Sequence, residues 1–383
     1  MKNFYTLLLF ILLTFDVQAN MIAPVNKALT LSQIKQNNQI HTLLVHKISN
    51  ETIKAINLSK LLDFYPDYSL DVFKGNKDFS YFIKLIENGE QIETFNISEL
   101  LPATFINTKH IGAAGNYPEH ANETSLDPNN VFIFPKLGEV TPSNSAIEVY
   151  KTNLLDYEVE ICATFDRDLF DMNDFNHSIV GLFICNDWSD RSHIIRKFDS
   201  NHPELAAGLT DAKSKPGYYQ AGSFMVVPYN YETFLKDINL SLTLNNETKQ
   251  NQNASKMILS IKDLVEMTFS RGHEYNWYLG DENIAIIPSG FIEKGMTVLT
   301  GTPEGVIFRP PSTTLKLGFA ARYIITGILG PFYHQTIVDY IREKYIKKLI
   351  RKKVFLRPGD QIISSGTYLG DIKTSIIPGD NTN

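Results

Sequence analysis

The amino-acid sequence predicts a β-rich fold of the α+β class. From about residue 103 onward, short runs of β-branched and aromatic residues alternate with turn residues, which is typical of strands in a mixed β-roll or barrel. Short helical segments interrupt these runs. One of them, 261–269, follows Ser260, a residue type that caps helices. The strand-like runs are 131–135, 158–165, 179–185, 224–228, 240–244 and 297–300.

Length and composition are those of a globular protein. The chain has 383 residues, of which 43% are hydrophobic and 20% charged, so one or two domains with a full core are expected. The net charge of −6 gives no reason to expect a nucleic-acid partner.

The first 19 residues have the pattern of a secretory signal peptide. Lys2 precedes an apolar run over residues 4–15, and Val17-Gln18-Ala19 supplies a small-residue cleavage site. An uncleaved membrane anchor is the alternative, although the apolar run is short for a membrane span. Eight N-x-S/T sequons, one of them inside a strand-like run, favour a host that does not glycosylate them. We therefore expect export to a bacterial periplasm or secretion.

The mature chain divides into two predicted domains. Residues 20–102 contain strand-like runs and helical segments but no candidate catalytic group, so we expect a small N-terminal α+β domain there. Residues 103–383 form the predicted catalytic domain. The N-terminal runs are strand-like at 41–48 and 53–58 and helical at 58–64 and 81–88.

Three carboxylates predict a metal site. Glu158 and Glu160 are two residues apart in a strand-like run, so they project to the same face. Asp187 follows a second apolar run that is typical of a buried strand. Carboxylates on a half-buried face repel one another unless a cation joins them. Oxygen ligands without His or Cys suit a hard ion such as Mg²⁺. A solvated strand face with ordinary surface glutamates is the alternative.

The sequence contains two cysteines, Cys162 and Cys185. Cys162 shares strand parity with the two glutamates, and Cys185 shares parity with Asp187, so both thiols would lie just below the metal if the strands are neighbours. A disulfide is favoured by an oxidising compartment, whereas buried free thiols are also common. Both states stay open at this point.

The chain resembles the fumarylacetoacetate hydrolase family, acylpyruvase-type branch, in the content and order of five motifs. The resemblance covers residues 105–306 and resumes at 356–360. The motifs are N-Y-x-x-H-x-x-E at 116–123, D-Y-E-V-E at 156–160, N-D-W-S-x-R at 186–191, A-K-S at 212–214 and T-G-T-P-x-G-V at 300–306.

The resemblance implies a role for each motif. Glu158, Glu160 and Asp187 would be the ligands of Mg²⁺, or of Mn²⁺ or Ca²⁺, and Lys213 would add positive charge near an enolate. Substrate would be contacted by Tyr117, Arg191, Gly301 and Thr302.

The resemblance also implies a reaction class. His120 and Glu123 would activate water, with His120 as the base and Glu123 as its orienting carboxylate. The expected function is hydrolysis of a C–C bond in a 1,3-diketo acid or acylpyruvate. The alternatives are a 2-oxo acid decarboxylase, an isomerase or a hydratase at the same metal, and a non-catalytic binding protein.

Some segments depart from the family. Gly115 stands where the family often has Arg, and residues 271–288 and 309–353 are insertions. The second insertion carries ten Lys or Arg against two acidic residues, and its apolar residues keep helical spacing. This pattern predicts a basic amphipathic helix. Contact of 334–353 with an anionic membrane is one hypothesis, and a helical lid or a homodimer contact is the other.

Overall fold

The computed structural model describes residues 21–75, 77–89, 91–329 and 336–379, and the predicted signal peptide lies outside them. The prediction of a β-rich α+β fold is confirmed. The described strands are β1 (Ala28–Gln36), β2 (Gln39–Ser49), β3 (Thr52–Asn57), β4 (Ile92–Asn96), β5 (Lys109–Ala114), β6 (Phe132–Leu137), β7 (Asn144–Val149), β8 (Leu155–Asp156), β9 (Val159–Phe165), β10 (Val180–Asp187), β11 (Ser189–Asp190), β12 (Tyr219–Ala221), β13 (Met225–Pro228), β14 (Asn239–Leu244), β15 (Glu247–Asn253), β16 (Trp277–Leu279), β17 (Glu282–Ile284), β18 (Thr297–Leu299), β19 (Gln361–Gly366) and β20 (Gly370–Pro378).

The helices are short except near the C-terminus. Ser260 caps α8 through a capping box with Asp263, as its position in the sequence predicts. The helices are α1 (Leu58–Leu62), α2 (Phe79–Asn88), α3 (Pro118–Thr124), α4 (Met172–Asn176), α5 (Arg191–Lys197), α6 (Leu209–Lys213), α7 (Tyr231–Leu235), α8 (Ile261–Arg271), α9 (Thr313–Leu329) and α10 (Ile337–Lys352).

Two sheets make up most of the fold. The larger has the order β4-β3-β2-β1-β13-β10-β9-β18-β5-β6, with β12 added to β10, and the smaller has the order β15-β14-β19-β20-β7. Within the described residues, each of these two sheets has two edge strands that do not pair with each other, so the strands form a roll and not a closed barrel.

The N-terminal region continues the larger sheet. Strand β1 pairs antiparallel with β13, from Ala28 opposite Pro228 to Leu31 opposite Met225. Strands β2, β3 and β4 follow in sequence on the outer side of β1. The domain boundary near residue 102 stays a prediction.

The alternation of β9 separates two cores. Ile161 and Ala163 face the large core, which also holds Leu182. Cys162 faces the opposite cluster together with Phe183. Side chains at positions 158, 160 and 162 share one face because strand side chains alternate.

The second insertion folds as α9 and α10, where the sequence predicts one helix. Tyr345 and Ile346 of α10 are buried, whereas Leu317 of α9 is 65% exposed. Within the described residues, neither these helices nor any other is long and apolar enough to cross a membrane.

Candidate metal centre and active-site cavity

The three predicted metal ligands meet at the ends of two paired strands. Strands β9 and β10 run antiparallel with Cys185 opposite Glu160, and the Asp187 amide donates to the Glu158 carbonyl over 3.0 Å. One carboxylate oxygen from each of Glu158, Glu160 and Asp187 lies within 4.8 Å of the other two. All three side chains are buried, so they are not the solvated surface glutamates of the alternative interpretation.

Two of these carboxylates are paired with buried cations. The Lys213 ammonium, at the end of α6, donates to Glu158 and to Asp187 Oδ2, the latter over 2.7 Å. The Lys136 ammonium on β6 donates to Asp187 Oδ1 over 2.6 Å. Burial opposes ionisation of the Glu158 carboxyl, but Lys213 and Arg191 outweigh it and lower its pKa to about 2.

Glu160 differs from its two neighbours. Among the described residues it forms no salt bridge, and its Oε2 accepts a hydrogen bond from the Gly301 amide over 2.8 Å. Burial, and then the charges of Asp187 and Glu158, raise the pKa of Glu160 well above its ordinary value. A divalent cation between the three carboxylates would remove this repulsion, and all-oxygen ligands suit Mg²⁺ or Mn²⁺. The residues present therefore fit a metal.

Arg191 is held between two carboxylates. Its Nε donates to Asp156 Oδ2 over 2.9 Å, and its Nη2 donates to Glu158 Oε1 over 2.5 Å. Asp156, which is fully buried, also accepts hydrogen bonds from the amides of Ile307 and Phe308 at 2.9 and 3.0 Å. Asp156 therefore joins the strand that precedes the metal ligands to the loop that follows the Gly-Thr-Pro motif.

The Gly-Thr-Pro loop lies against the same strands. Gly301 has φ +89, and a Cβ there would approach the Asn116 Cβ to 3.0 Å, so glycine fits this position best. The Thr302 hydroxyl donates to the Val159 carbonyl over 2.9 Å and accepts from Gln250 Nε2 over 2.8 Å. A substrate that binds the Thr302 hydroxyl would therefore share it with Val159 and Gln250.

The predicted dyad assembles on α3. His120 Nδ1 and Glu123 Oε1 are 3.0 Å apart. Glu123 also accepts from the Gly305 amide over 3.1 Å and pairs with Arg309 Nη2 over 2.7 Å. Tyr117 precedes the helix, fully buried, and its hydroxyl has no hydrogen-bond partner among the described residues.

A cavity of about 460 Å³ is lined by five of the ten predicted site residues, and the other five, Tyr117, Glu123, Glu160, Asp187 and Gly301, lie outside its lining. We call strands β9 and β10 with their three carboxylates the floor, and helices α9 and α10 the roof. The predicted site residues that line the cavity are His120, Glu158, Arg191, Lys213 and Thr302, and the roof contributes Lys316, Val338, Ile341, Arg342 and Tyr345.

A disulfide links the two strands of the floor. Cys162 and Cys185 are bonded, with their Cα atoms 5.9 Å apart, and each is two residues from a predicted metal ligand. The Tyr219 hydroxyl donates to Cys162 Sγ over 3.3 Å. Of the two states that the sequence leaves open, the structure has the bonded one.

Sequence reasoning missed Lys136, Asp156 and Gln250. Lys136 is fully buried and donates to the carbonyls of Lys213 and Tyr218 as well as to Asp187. A lysine inside the apolar run at 131–137 was the available signal for it, because a buried lysine needs partners.

The fold and the site define a class of protein: a β-roll with a cavity above three buried carboxylates. A sequence model described as the C-terminal region of fumarylacetoacetate (FAA) hydrolase matches residues 109–377. The chain belongs to the fumarylacetoacetate hydrolase family.

Two uncharacterized staphylococcal proteins are similar to part of this chain. An uncharacterized protein of Staphylococcus saprophyticus is 28% identical over 217 residues, which is 55% of this chain and 63% of that protein. One of Staphylococcus aureus is 27% identical over 218 residues, 56% of this chain and again 63% of the relative. The match thus spans less than two thirds of the relatives' length.

Solved structures show the same fold. A fumarylacetoacetate hydrolase from Exiguobacterium antarcticum has a TM-score of 0.54 at 17% identity and covers 92% of this chain and 100% of its own. A 2-hydroxyhepta-2,4-diene-1,7-dioate isomerase from Mycobacterium marinum has a TM-score of 0.52 at 16% identity, with the same coverage.

Proposed function

We propose that this protein is a divalent-metal-dependent hydrolase that cleaves a C–C bond in a 1,3-diketo acid such as an acylpyruvate. The observation that carries the proposal is the buried carboxylate cluster, in which Glu160 has no cation partner among the described residues, together with the His120–Glu123 pair, because His120 and Glu158 line the same cavity. When bound, Mg²⁺ or Mn²⁺ would polarise the substrate's carbonyl oxygens as a Lewis acid.

His120 is the proposed base. Its Nδ1 is engaged by Glu123, so Nε2 is the nitrogen left to take a proton from water. Glu123 orients the ring and stabilises the imidazolium that forms. The water oxygen attacks the acyl carbonyl, the C–C bond breaks, and its electron pair moves to the pyruvate carbon as an enolate. The proton held by His120 then returns to that carbon, which completes the hydrolysis.

Lys213 is the proposed enolate stabiliser. Burial opposes its charge, but Asp187 and Glu158 outweigh burial and raise its pKa above the ordinary value. Lys213 therefore stays protonated and places a fixed positive charge at the cavity, where negative charge develops.

Isomerisation or decarboxylation at the same metal is a second candidate. The observation in its favour is that Glu123 is already paired with Arg309 at 2.7 Å. A carboxylate that already pairs with a guanidinium is less available to stabilise an imidazolium beside it. These reactions need no water activation.

A kinetic comparison tests the proposal. Acetylpyruvate and oxaloacetate are assayed with the metal-stripped protein and after addition of Mg²⁺ or Mn²⁺, alongside Glu158→Ala and His120→Ala. Glu119→Ala, on the exposed side of the same helix as His120, is the matched control. Metal-dependent cleavage of acetylpyruvate that both active-site variants lose supports the hydrolase. Oxaloacetate turnover that survives His120→Ala favours the second candidate, and metal binding without turnover contradicts both.

Location and assembly stay proposals. The apolar run at 4–15 supports export, and the Cys162–Cys185 disulfide suits an oxidising compartment. Fractionation of cells that express the full chain would test this: recovery only in the cytoplasm would contradict it. Membrane contact through 334–353 is tested by flotation with anionic and neutral liposomes, and homodimer formation by sedimentation.

A further inference from the structure

The active-site cavity continues well beyond the groups that the proposed reaction uses. It extends from Glu158 and Lys213 on one side to Val338 and Ile341 of α10 on the other. Its volume of about 460 Å³ is in the range of pockets that enclose a whole small-molecule ligand. A short diketo acid would occupy only the part near the floor.

The remaining wall is largely apolar. Phe132 of β6, Ile194 of α5 and Phe198 just after α5 line one part, and Phe308 and Ile341 line another. Phe132 is buried and the others are half-buried. Apolar walls of this kind favour an apolar ligand group, because each buried methylene contributes about 0.8 kcal/mol.

The arginine on this wall is committed to the protein. Arg342 Nη1 donates to the Arg196 carbonyl over 2.7 Å, and its Nη2 donates to the Phe198 carbonyl over 2.8 Å. A second carboxylate at this end of a substrate would therefore compete with contacts that hold the roof. Lys316 also lines the cavity, but its side chain is exposed, so an ion pair there would be screened by solvent.

The roof belongs to this chain's own insertion. Arg196 and Glu343 join α5 to α10 over 2.6 Å, and the Tyr345 hydroxyl donates to the Arg309 carbonyl over 2.5 Å. Helix α10 is therefore fixed to α5 and to Arg309, and its residues Val338, Ile341 and Tyr345 form part of the cavity wall.

The apolar part of the cavity, lined by Phe132, Ile194, Phe198, Phe308 and Ile341, is called the apolar chamber. We propose that this chamber receives an aliphatic or aryl tail on the substrate, so that the preferred substrates are acylpyruvates with a medium-length or aromatic acyl group. The inference rests on the proposed function for the dicarbonyl head, which the floor would bind. It adds that the far end of the substrate is uncharged.

Binding of a homologous series tests the chamber separately from turnover. Mn²⁺-loaded protein is titrated by calorimetry with 2-oxo acids from pyruvate to 2-oxodecanoate. Affinity is expected to rise about fourfold per added methylene until the chamber is filled. The dicarboxylate 2-oxoadipate is expected to bind less tightly than the alkyl 2-oxo acid of equal length.

Two variants of α10 test whether the roof causes the dependence of affinity on chain length. Ile341→Trp fills the chamber, and we expect it to reduce the ratio of 2-oxodecanoate to pyruvate affinity at least tenfold. Lys347→Trp, at an exposed position of the same helix, adds the same bulk away from the cavity and is the matched control. If Ile341→Trp does not fold, Val338→Trp takes its place, because Val338 is 51% exposed and tolerates added bulk.

The outcomes separate this inference from the proposed function. If affinity does not change with chain length, or if 2-oxoadipate binds more tightly than its alkyl counterpart, the proposed role of the chamber is wrong even if acetylpyruvate is cleaved. A rising series that Ile341→Trp flattens supports the chamber. If affinity rises with chain length in the same way but no acylpyruvate is cleaved, the proposal for the chamber is supported and the proposed hydrolase activity is contradicted.

Discussion

The floor and the roof of the cavity are built in opposite ways. The floor consists of paired strands whose carboxylates are buried, and Glu158 and Asp187 form salt bridges with the buried Lys213 of α6. The roof is held by a partly exposed ion pair between Arg196 and Glu343 and by hydrogen bonds to backbone carbonyls, and it leaves Leu317 exposed. Floor residues therefore tolerate little change, whereas roof residues can vary at small cost to stability.

Loss of one floor carboxylate should give the largest effect. Glu160→Gln keeps the shape but removes a charged ligand, so we expect Mn²⁺ affinity to fall at least about 100-fold. The metal-free variant should be at least as stable as the wild type, because one of three repelling carboxylates is gone.

Calorimetric Mn²⁺ titration and thermal unfolding measure both effects. Glu247→Gln, which is 74% exposed, is the control. Unchanged Mn²⁺ affinity in Glu160→Gln would show that the three carboxylates are not the metal site.

Loss of the disulfide between the two floor strands should have the next largest effect, on the free energy of unfolding. Cys162 and Cys185 are 23 residues apart, and closing a loop of this size stabilises a fold by about 3 kcal/mol. Replacing both with Ala should lower the free energy of unfolding by that amount, as measured by urea denaturation. Reductant should shift the wild-type curve and leave the variant's unchanged. Coincident wild-type curves with and without reductant would contradict the prediction.

Acid should weaken the larger sheet through His110 of β5. His110 is fully buried: Nδ1 accepts from the Thr297 amide over 3.3 Å, and Nε2 donates to the Gly138 carbonyl over 3.3 Å. Both ring nitrogens are therefore satisfied in the neutral form. Burial, more than the Lys136 charge, lowers the pKa of His110 to about 3.

The sign follows from the lowered pKa. Below about pH 6.5 the unfolded chain binds a proton at His110 that the folded chain refuses, so stability is present above that pH and is lost as pH falls toward 3. Between pH 7.5 and pH 5 this loss is about 2 kcal/mol. Urea midpoints across this range should show a flatter pH dependence in His110→Gln. His177→Gln, an exposed site, should keep the wild-type slope.

Substitution of the ion pair that holds the roof should change the free energy of unfolding least. Arg196 and Glu343 are 42% and 35% exposed, and ion pairs of this kind contribute less than about 1 kcal/mol. Glu343→Ala should therefore lower the free energy of unfolding by less than that amount, and a double-mutant cycle with Arg196→Ala isolates the pair. A coupling energy above about 2 kcal/mol would show that the roof is built like the floor.

The sequence predicted the floor better than its surroundings. Alternation placed Glu158 and Glu160 on one face and Cys162 below them, because strand parity is a local property. Lys136 could not be placed, since it reaches Asp187 only through a chain of paired strands across the larger sheet. The commitment of Arg191 to Asp156 likewise depends on contacts between distant segments. For the insertion, helical spacing predicted one basic helix, and α9 emerged as a second.

The contacts of Asp156 have a consequence for folding. This side chain reaches Ile307 and Phe308, which are 151 and 152 residues later in the chain. Closing so long a loop is entropically costly and slow, so the two halves of the site meet late. A nascent chain that has not yet emerged past residue 308 would hold its acidic residues without the loop that completes their surroundings. Metal would then be captured by a nearly finished fold and would not act as a nucleus for it.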